Sequence, residues 1–195
     1  MNGSVNSVNR EPNFDLAEHV LAQSRSDFQG LKKLGDKSLA QLPEAGFRWR
    51  PEPESNNIAI IINHLHGNML SRWTDFLTTD GEKPGRNRDA EFEDDDAPSS
   101  ELLAKWEQGW AALLGTLTTL TPDDLLRTVT IRGEAHTVVQ AIHRQISHYG
   151  YHVGQLVYAA KAYRSSAWQT LSIPKGGSNA FNAAKGTGTA ERHKS

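Results

Sequence analysis

"TVVQAIHRQISHYGYHVGQLVYAAKAYR", residues 137–164, opens with Thr137 and carries Gln140 three positions later, the reciprocal pair that closes a capping box over a first helical turn. From Val138 onward Ile142, Tyr149, Val153 and Leu156 fall on one side of a helical wheel, and no proline interrupts them. The spacing predicts one unbroken helix to about Tyr163. A single apolar stripe must be covered by other elements, so the rest of the chain is read for partners.

Three further stripes are present. Leu16, Val20, Leu21, Phe28, Leu31, Leu39 and Leu42 predict a helix within 14–42 that Pro43 terminates, with Gly30 and Gly35 as weak points. After the proline-bearing loop "EAGFRWRPEPES" (44–55), whose Ser55 is the expected cap, "NNIAIIINHLHGNMLSRWTDFL" (56–77) predicts a second helix. A third follows Pro98, capped by Ser99 or Ser100, with Leu102, Leu103, Trp106, Trp110, Leu113, Leu114, Leu117 and Leu120 in its stripe. Between the second and third lies "TDGEKPGRNRDAEFEDDDAP" (79–98), polar, acidic toward its end and long for a connection in a compact domain. "TPDD" (121–124) has the composition of a short helix start, and "RTVTIRGEAH" (127–136) reads as a brief extended turn.

These elements predict an all-α fold: a four-helix bundle over 13–173, helices 1–2 and 3–4 paired, with the long crossover between helices 2 and 3 and no sheet. Residues 1–12 are expected to be disordered. The tail 174–195 is expected to be largely flexible, with Trp168, Leu171, Ile173 and Phe181 folding back or meeting another subunit.

A net charge of −2 and a pI near 6.4 on 195 residues provide no basic footprint for a polyanion, so nucleic acid is not an expected partner. With no cysteine, a metal would be held by nitrogen and oxygen alone. Neither a leader-like N-terminus nor an apolar run long enough to span a bilayer is visible, and a soluble, cytoplasmic protein without membrane contact is expected.

Histidine therefore becomes the residue to follow. On a wheel with Val138 at zero, His148 and His152 lie at about 280° and about 320°, on one edge of the apolar face, beside the small Ala141 and Ala159; His143 points elsewhere. Tyr149 stands where a zincin H-E-x-x-H helix needs its glutamate, which argues against a metalloprotease of that type. The predicted helices 2 and 4 carry no Asp or Glu between 58 and 73 or between 137 and 164, which argues against a di-iron bundle. Any metal would be held by neutral imidazoles and would seek an anionic further ligand. A histidine pair at this spacing is also a common packing feature, and a third ligand is required. His64 and His66 are both candidates, with periodicity slightly preferring His66.

"NIAIIINHL" (57–65) and "HYGYHVGQL" (148–156) resemble the Ser-Ile-Gly…His-Leu helix and the His-x-x-x-His-x-Gly-Gln signature of the DinB/YfiT-like metal-binding four-helix bundles. The resemblance runs from about Phe14 to Tyr163. "GNMLSRWTDFLTTDGEKP", "RNRDAEFE" and "WQTLSIPKG" resemble a narrower bacterial subfamily, a domain of unknown function. The wider resemblance implies three metal ligands, His64, His148 and His152, binding a divalent ion such as zinc or nickel. It also implies a small-molecule substrate, among them low-molecular-weight thiols, and no relation to the DNA polymerase that shares the name.

The expectation is thus a divalent-metal-dependent enzyme that activates water or a small thiol, of the thiol S-transferase or hydrolase type. Gln155 is expected beside His148, Gly154 at a close helix approach, Tyr149 and Tyr151 in packing, and Arg86 and Arg88 in solvent. No general base is legible, since Asp75 and Glu107 cannot be placed from sequence. The competing expectation is a non-catalytic, metal-stapled homodimeric stress or interaction module; a third, weaker one is an apolar-ligand pocket.

Overall fold

The computed structural model describes residues 15–186. The expected disordered stretch 1–12 and the end of the tail lie outside them. In chain order the elements are α1 (Leu16–Leu39), α2 (Ile58–Trp73), α3 (Ser99–Thr119), β1 (Thr128–Ile131), β2 (Glu134–Thr137), α4 (Val138–Arg164) and α5 (Ser178–Ala184). The chain is mostly helical with one small sheet, and no helix among the described residues is long and apolar enough to cross a membrane.

Each helix end has a local cause. Asp15 caps α1 by accepting from the N–H groups of Ala17 and Glu18. Asn57 rather than Ser55 caps α2, its Oδ1 accepting from Ile60 N at 2.9 Å, while Ser55 turns to Glu52. The helix stops at Trp73, short of Leu77, because Thr74 is extended and Asp75 follows at φ +50°. α3 has no side-chain cap of its own; the Ser99 N–H instead donates to Glu44 Oε1 at 2.8 Å. The capping box of α4 forms as the sequence predicts.

The expectation of no sheet is corrected. Residues 128–137 form an antiparallel hairpin in which Ile131 faces Glu134 across Arg132 and Gly133, both at positive φ (+56° and +75°). Arg-Gly supplies the backbone that a two-residue hairpin turn needs. Asp80 accepts from the N–H groups of both turn residues, and Gly81 N–H donates to Thr130 O at 2.8 Å, so the crossover is tied to the hairpin.

The closest-packed helices are α2 with α3 and α1 with α4, not the 1–2 and 3–4 pairs expected from chain order. The connections 40–57 and 74–98 are long enough that neighbours in sequence need not be neighbours in space. The shared core holds Phe28, Ile58, Ile62, Leu65, Trp73, Leu102, Trp110, Leu113, Leu117, Val153 and Leu156. Each fully buried side chain of this size contributes about 1.5–3 kcal/mol. Tyr149 is buried among them; its hydroxyl donates to Asn68 Oδ1 at 2.9 Å and accepts from Trp73 Nε1 at 3.0 Å. Of the tail's apolar cluster, Trp168 packs on the core and Gln41 clamps the Gln169 backbone at both ends, whereas Ile173 and Phe181 are exposed.

Candidate metal centre

α2 and α4 bring His64, His148 and His152 together, with one ring nitrogen from each within 4.8 Å of the others. The two α4 residues share a side because they are one turn apart. His64, not His66, joins them. α2 is buried almost all round, from Ile58 to Ile62 and again at Leu65, Asn68, Met69 and Ser71–Trp73, so its apolar mean direction does not identify the side facing α4. His66 instead faces α3, with Nε2 2.9 Å from Gln108 Oε1. His143 is exposed.

Hydrogen bonds fix how the three rings present themselves. His64 Nδ1 lies 3.0 Å from Glu91 Oε2, and Glu91 also accepts from Arg86 Nε at 2.7 Å and Arg86 Nη2 at 2.8 Å. Burial pushes the Glu91 carboxyl up, but the bonds from Arg86 and His64 outweigh it and hold the group below the usual carboxylate range. An ionised carboxylate has no proton to give, so His64 Nδ1 carries the hydrogen and Nε2 is the nitrogen turned toward His148. Gln155 Oε1 lies 2.9 Å from His152 Nδ1 and Gln145 Oε1 lies 3.3 Å from His148 Nδ1, so an Nδ1–H tautomer satisfies both contacts.

Three Nε2 atoms are thereby turned to one place. His64 Nε2 and His148 Nε2 stand 3.2 Å apart, and His152 Nε2 is buried without a hydrogen-bond partner. Two lone pairs at that distance repel unless a proton or a cation lies between them. Burial first, and then the neighbouring imidazoles, push His148 down to about 3 and His152 to about 4, so both of these rings are neutral near pH 7. Tetrahedral zinc with Zn–N bonds near 2.05 Å separates its nitrogens by about 3.3 Å. The His64–His148 spacing meets that requirement, the three nitrogens lie within 4.8 Å of one another, and a donor set of three imidazoles suits zinc or nickel. The carboxylate behind His64 is the support that metal-bound histidines usually carry.

A cavity of about 300 Å³ opens beside the imidazoles, also lined by Asn68, Gln145, Phe92 and Tyr151. Phe92 lies against the His64 ring with centroids 4.8 Å apart, and Tyr151 lies 4.2 Å from the His152 ring. Several expected roles change. Gln155 serves His152, with Gln145 taking the place beside His148. Arg86 is not solvated: its side chain is 4% exposed between Glu82 and Glu91, whereas Arg88 is exposed over the Phe92 ring. Tyr149 packs as expected, but Tyr151 is 53% exposed at the cavity. Gly154 meets no other helix. Asp75 is exposed at a second cavity and Glu107 pairs with Lys32, so neither faces the histidines. The crossover's Glu91, Arg86 and Phe92 also build the site without having been expected there; the three acids of "RDAEFE" were the available signal and do not by themselves single out Glu91.

Residues 15–177 match the family described as a protein of unknown function, DUF1572. No curated protein matches the chain.

Proposed function

Since the chain belongs to the DUF1572 family, we propose on the site's chemistry that it is a divalent-metal-dependent enzyme acting on small molecules. In this reading the helices are a DinB/YfiT-like four-helix bundle, and His64, His148 and His152 hold zinc or nickel. The observation that carries it is the set of Nδ1 contacts: each Nδ1 lies within 3.3 Å of an oxygen of Glu91, Gln145 or Gln155, which leaves three Nε2 atoms for a cation.

When bound, the ion supplies a Lewis acid that brings the pKa of a coordinated water or thiol toward neutrality. The protein's own residues do the rest. Glu91 keeps His64 basic and oriented, and Arg86 keeps Glu91 ionised. Phe92 shields the His64 ring from solvent on one face. Among the described residues no carboxylate lines the cavity, so they offer no ordinary general base there. That favours a thiol substrate over water, because a thiol at about 8.5 loses its proton far more readily than water at about 15.7. Thiol S-transfer is therefore the leading reaction class, with hydrolysis second.

The test is to load the protein with cobalt(II) and titrate with 2-mercaptoethanol while recording the absorption spectrum. A sulfur-to-cobalt charge-transfer band that saturates supports an open, thiol-accepting site. A cobalt spectrum that no thiol alters would mean a closed structural site and the non-catalytic module instead.

A further inference from the structure

Arg72, Arg86, Arg88, Arg132 and Arg144 all line the cavity beside the imidazoles, and no Asp or Glu among the described residues does. This is not a surplus inherited from composition, since the chain has 21 basic against 23 acidic side chains. Elsewhere Lys32, Arg48, Lys105 and Arg127 each meet a carboxylate. Around the cavity only Glu82 and Glu91 serve the arginines: Glu82 accepts from Arg72 at 3.1 Å, Arg86 at 3.3 Å and Arg132 at 2.9 Å, and Glu91 accepts from Arg86.

Two of the five have no acidic partner among the described residues. Arg144 Nη1 lies 3.5 Å from His136 Nε2, and Arg88 lies over the Phe92 ring, 4.9 Å from its centroid. A third observation is independent of these. Arg72 is 5% exposed and its Nε is a buried donor without a partner. Its charge is met by Glu82 and its Nη1 also donates to Gly81 O, so one N–H of a paired guanidinium is left without an acceptor. The planar guanidinium fork is matched to carboxylate and phosphoryl oxygens, and a cavity of about 300 Å³ is at the small end of ligand sites.

We infer that the cavity takes a small substrate bearing an oxyanion, a carboxylate or a phosphoryl group, held at the mouth by Arg144 with Arg88 and Arg132. This deepens the metal reading and rests on it only for which end of the substrate reacts. The oxyanion is bound by arginine at one end, leaving the other end toward the imidazoles. A polyanion is not the occupant, because it would need an extended basic surface on a chain whose net charge is −2.

The experiment is calorimetric titration of the full chain at low ionic strength with succinate and, separately, with sulfate as a tetrahedral mimic. Each is run on metal-loaded and on chelator-treated protein, with metal content measured on every sample. Saturable binding tighter than about 1 mM, weakened at least tenfold in Arg144→Gln and in Arg88→Gln and largely retained in Arg144→Lys, is the expected result. Lys161→Gln, on the exposed side of α4, leaves the affinity unchanged. Thermal melts of the variants check that they fold. Succinate alone assigns a carboxylate substrate, sulfate alone a phosphoryl-like one. Absence of binding to a protein that does hold metal, or binding indifferent to both arginine substitutions, overturns the inference and leaves the metal reading standing. Arginine-dependent binding in a protein that takes up no metal keeps the oxyanion cavity and removes the metal reading.

Discussion

Replacing Gly67 by alanine should weaken metal binding while a glycine-to-alanine change elsewhere in a helix strengthens the fold. A Cβ on Gly67 would lie 2.1 Å from Glu91 Oε1 and 2.7 Å from its Cδ. Ordinary carbon–oxygen contact requires about 1 Å more than the first of these distances. The carboxylate cannot yield freely, because Arg86 holds it at 2.7 and 2.8 Å and His64 at 3.0 Å. A shift of about 1 Å takes at least one of those bonds out of hydrogen-bond range. Losing such support behind a histidine ligand typically costs 10–100-fold in metal affinity, or about 1.4–2.8 kcal/mol. Competition against a fluorescent zinc chelator measures it. Gly30→Ala is the control: nothing lies within 4 Å of its added Cβ, so metal affinity holds while stability rises by up to about 1 kcal/mol. Zinc affinity in Gly67→Ala within twofold of the parent would refute the link from Glu91 through His64 to the metal.

His64→Ala should abolish stoichiometric metal uptake, while His66→Ala, which loses only its contact with Gln108, should retain it; elemental analysis of the two variants decides, and the opposite pattern would reassign the ligand. Tyr149→Phe leaves Asn68 Oδ1 and Trp73 Nε1 without their shared buried partner and should cost about 1–3 kcal/mol in urea unfolding without altering metal content. The metal-free protein should lose stability as pH falls from about 6.5 to 5. His148 and His152, held down at about 3 and about 4, stay neutral when folded but take up protons when unfolded, so stability is present above the unfolded pKa and declines below it. The loss over that interval is at most roughly 2 kcal/mol per histidine, and a flat profile in chelator-treated protein would contradict the buried, neutral imidazoles.

The part of the fold that depends on periodicity and capping was legible: the long α4 follows from Thr137, Gln140 and the stripe, and the His148–His152 pair follows from being one turn apart. The choice between His64 and His66 was not legible from the wheel, because α2 touches α3, α4 and the crossover and is buried on nearly every side. The Asn57 cap was displaced in expectation by the nearer-looking Ser55, since two capping residues compete within the same polar loop. Glu91 and Arg86 reach the site across sequence separations for which no local period exists, from a loop whose composition resembles solvent-facing chain. The hairpin was legible only as a brief extended turn, because its strands are short and its turn depends on Arg132 accepting a positive φ.

The central claim is that three Nε2 atoms hold one cation, and the metal content of the purified protein tests it most directly. Elemental mass spectrometry should be run on the full chain prepared without a histidine tag or chelating column, beside His148→Ala and His152→Ala. The account predicts about one zinc or nickel per chain in the parent and loss of that stoichiometry in both variants. A parent that carries no metal and takes up none on addition would make the three imidazoles a packed, hydrogen-bonded cluster and contradict the account.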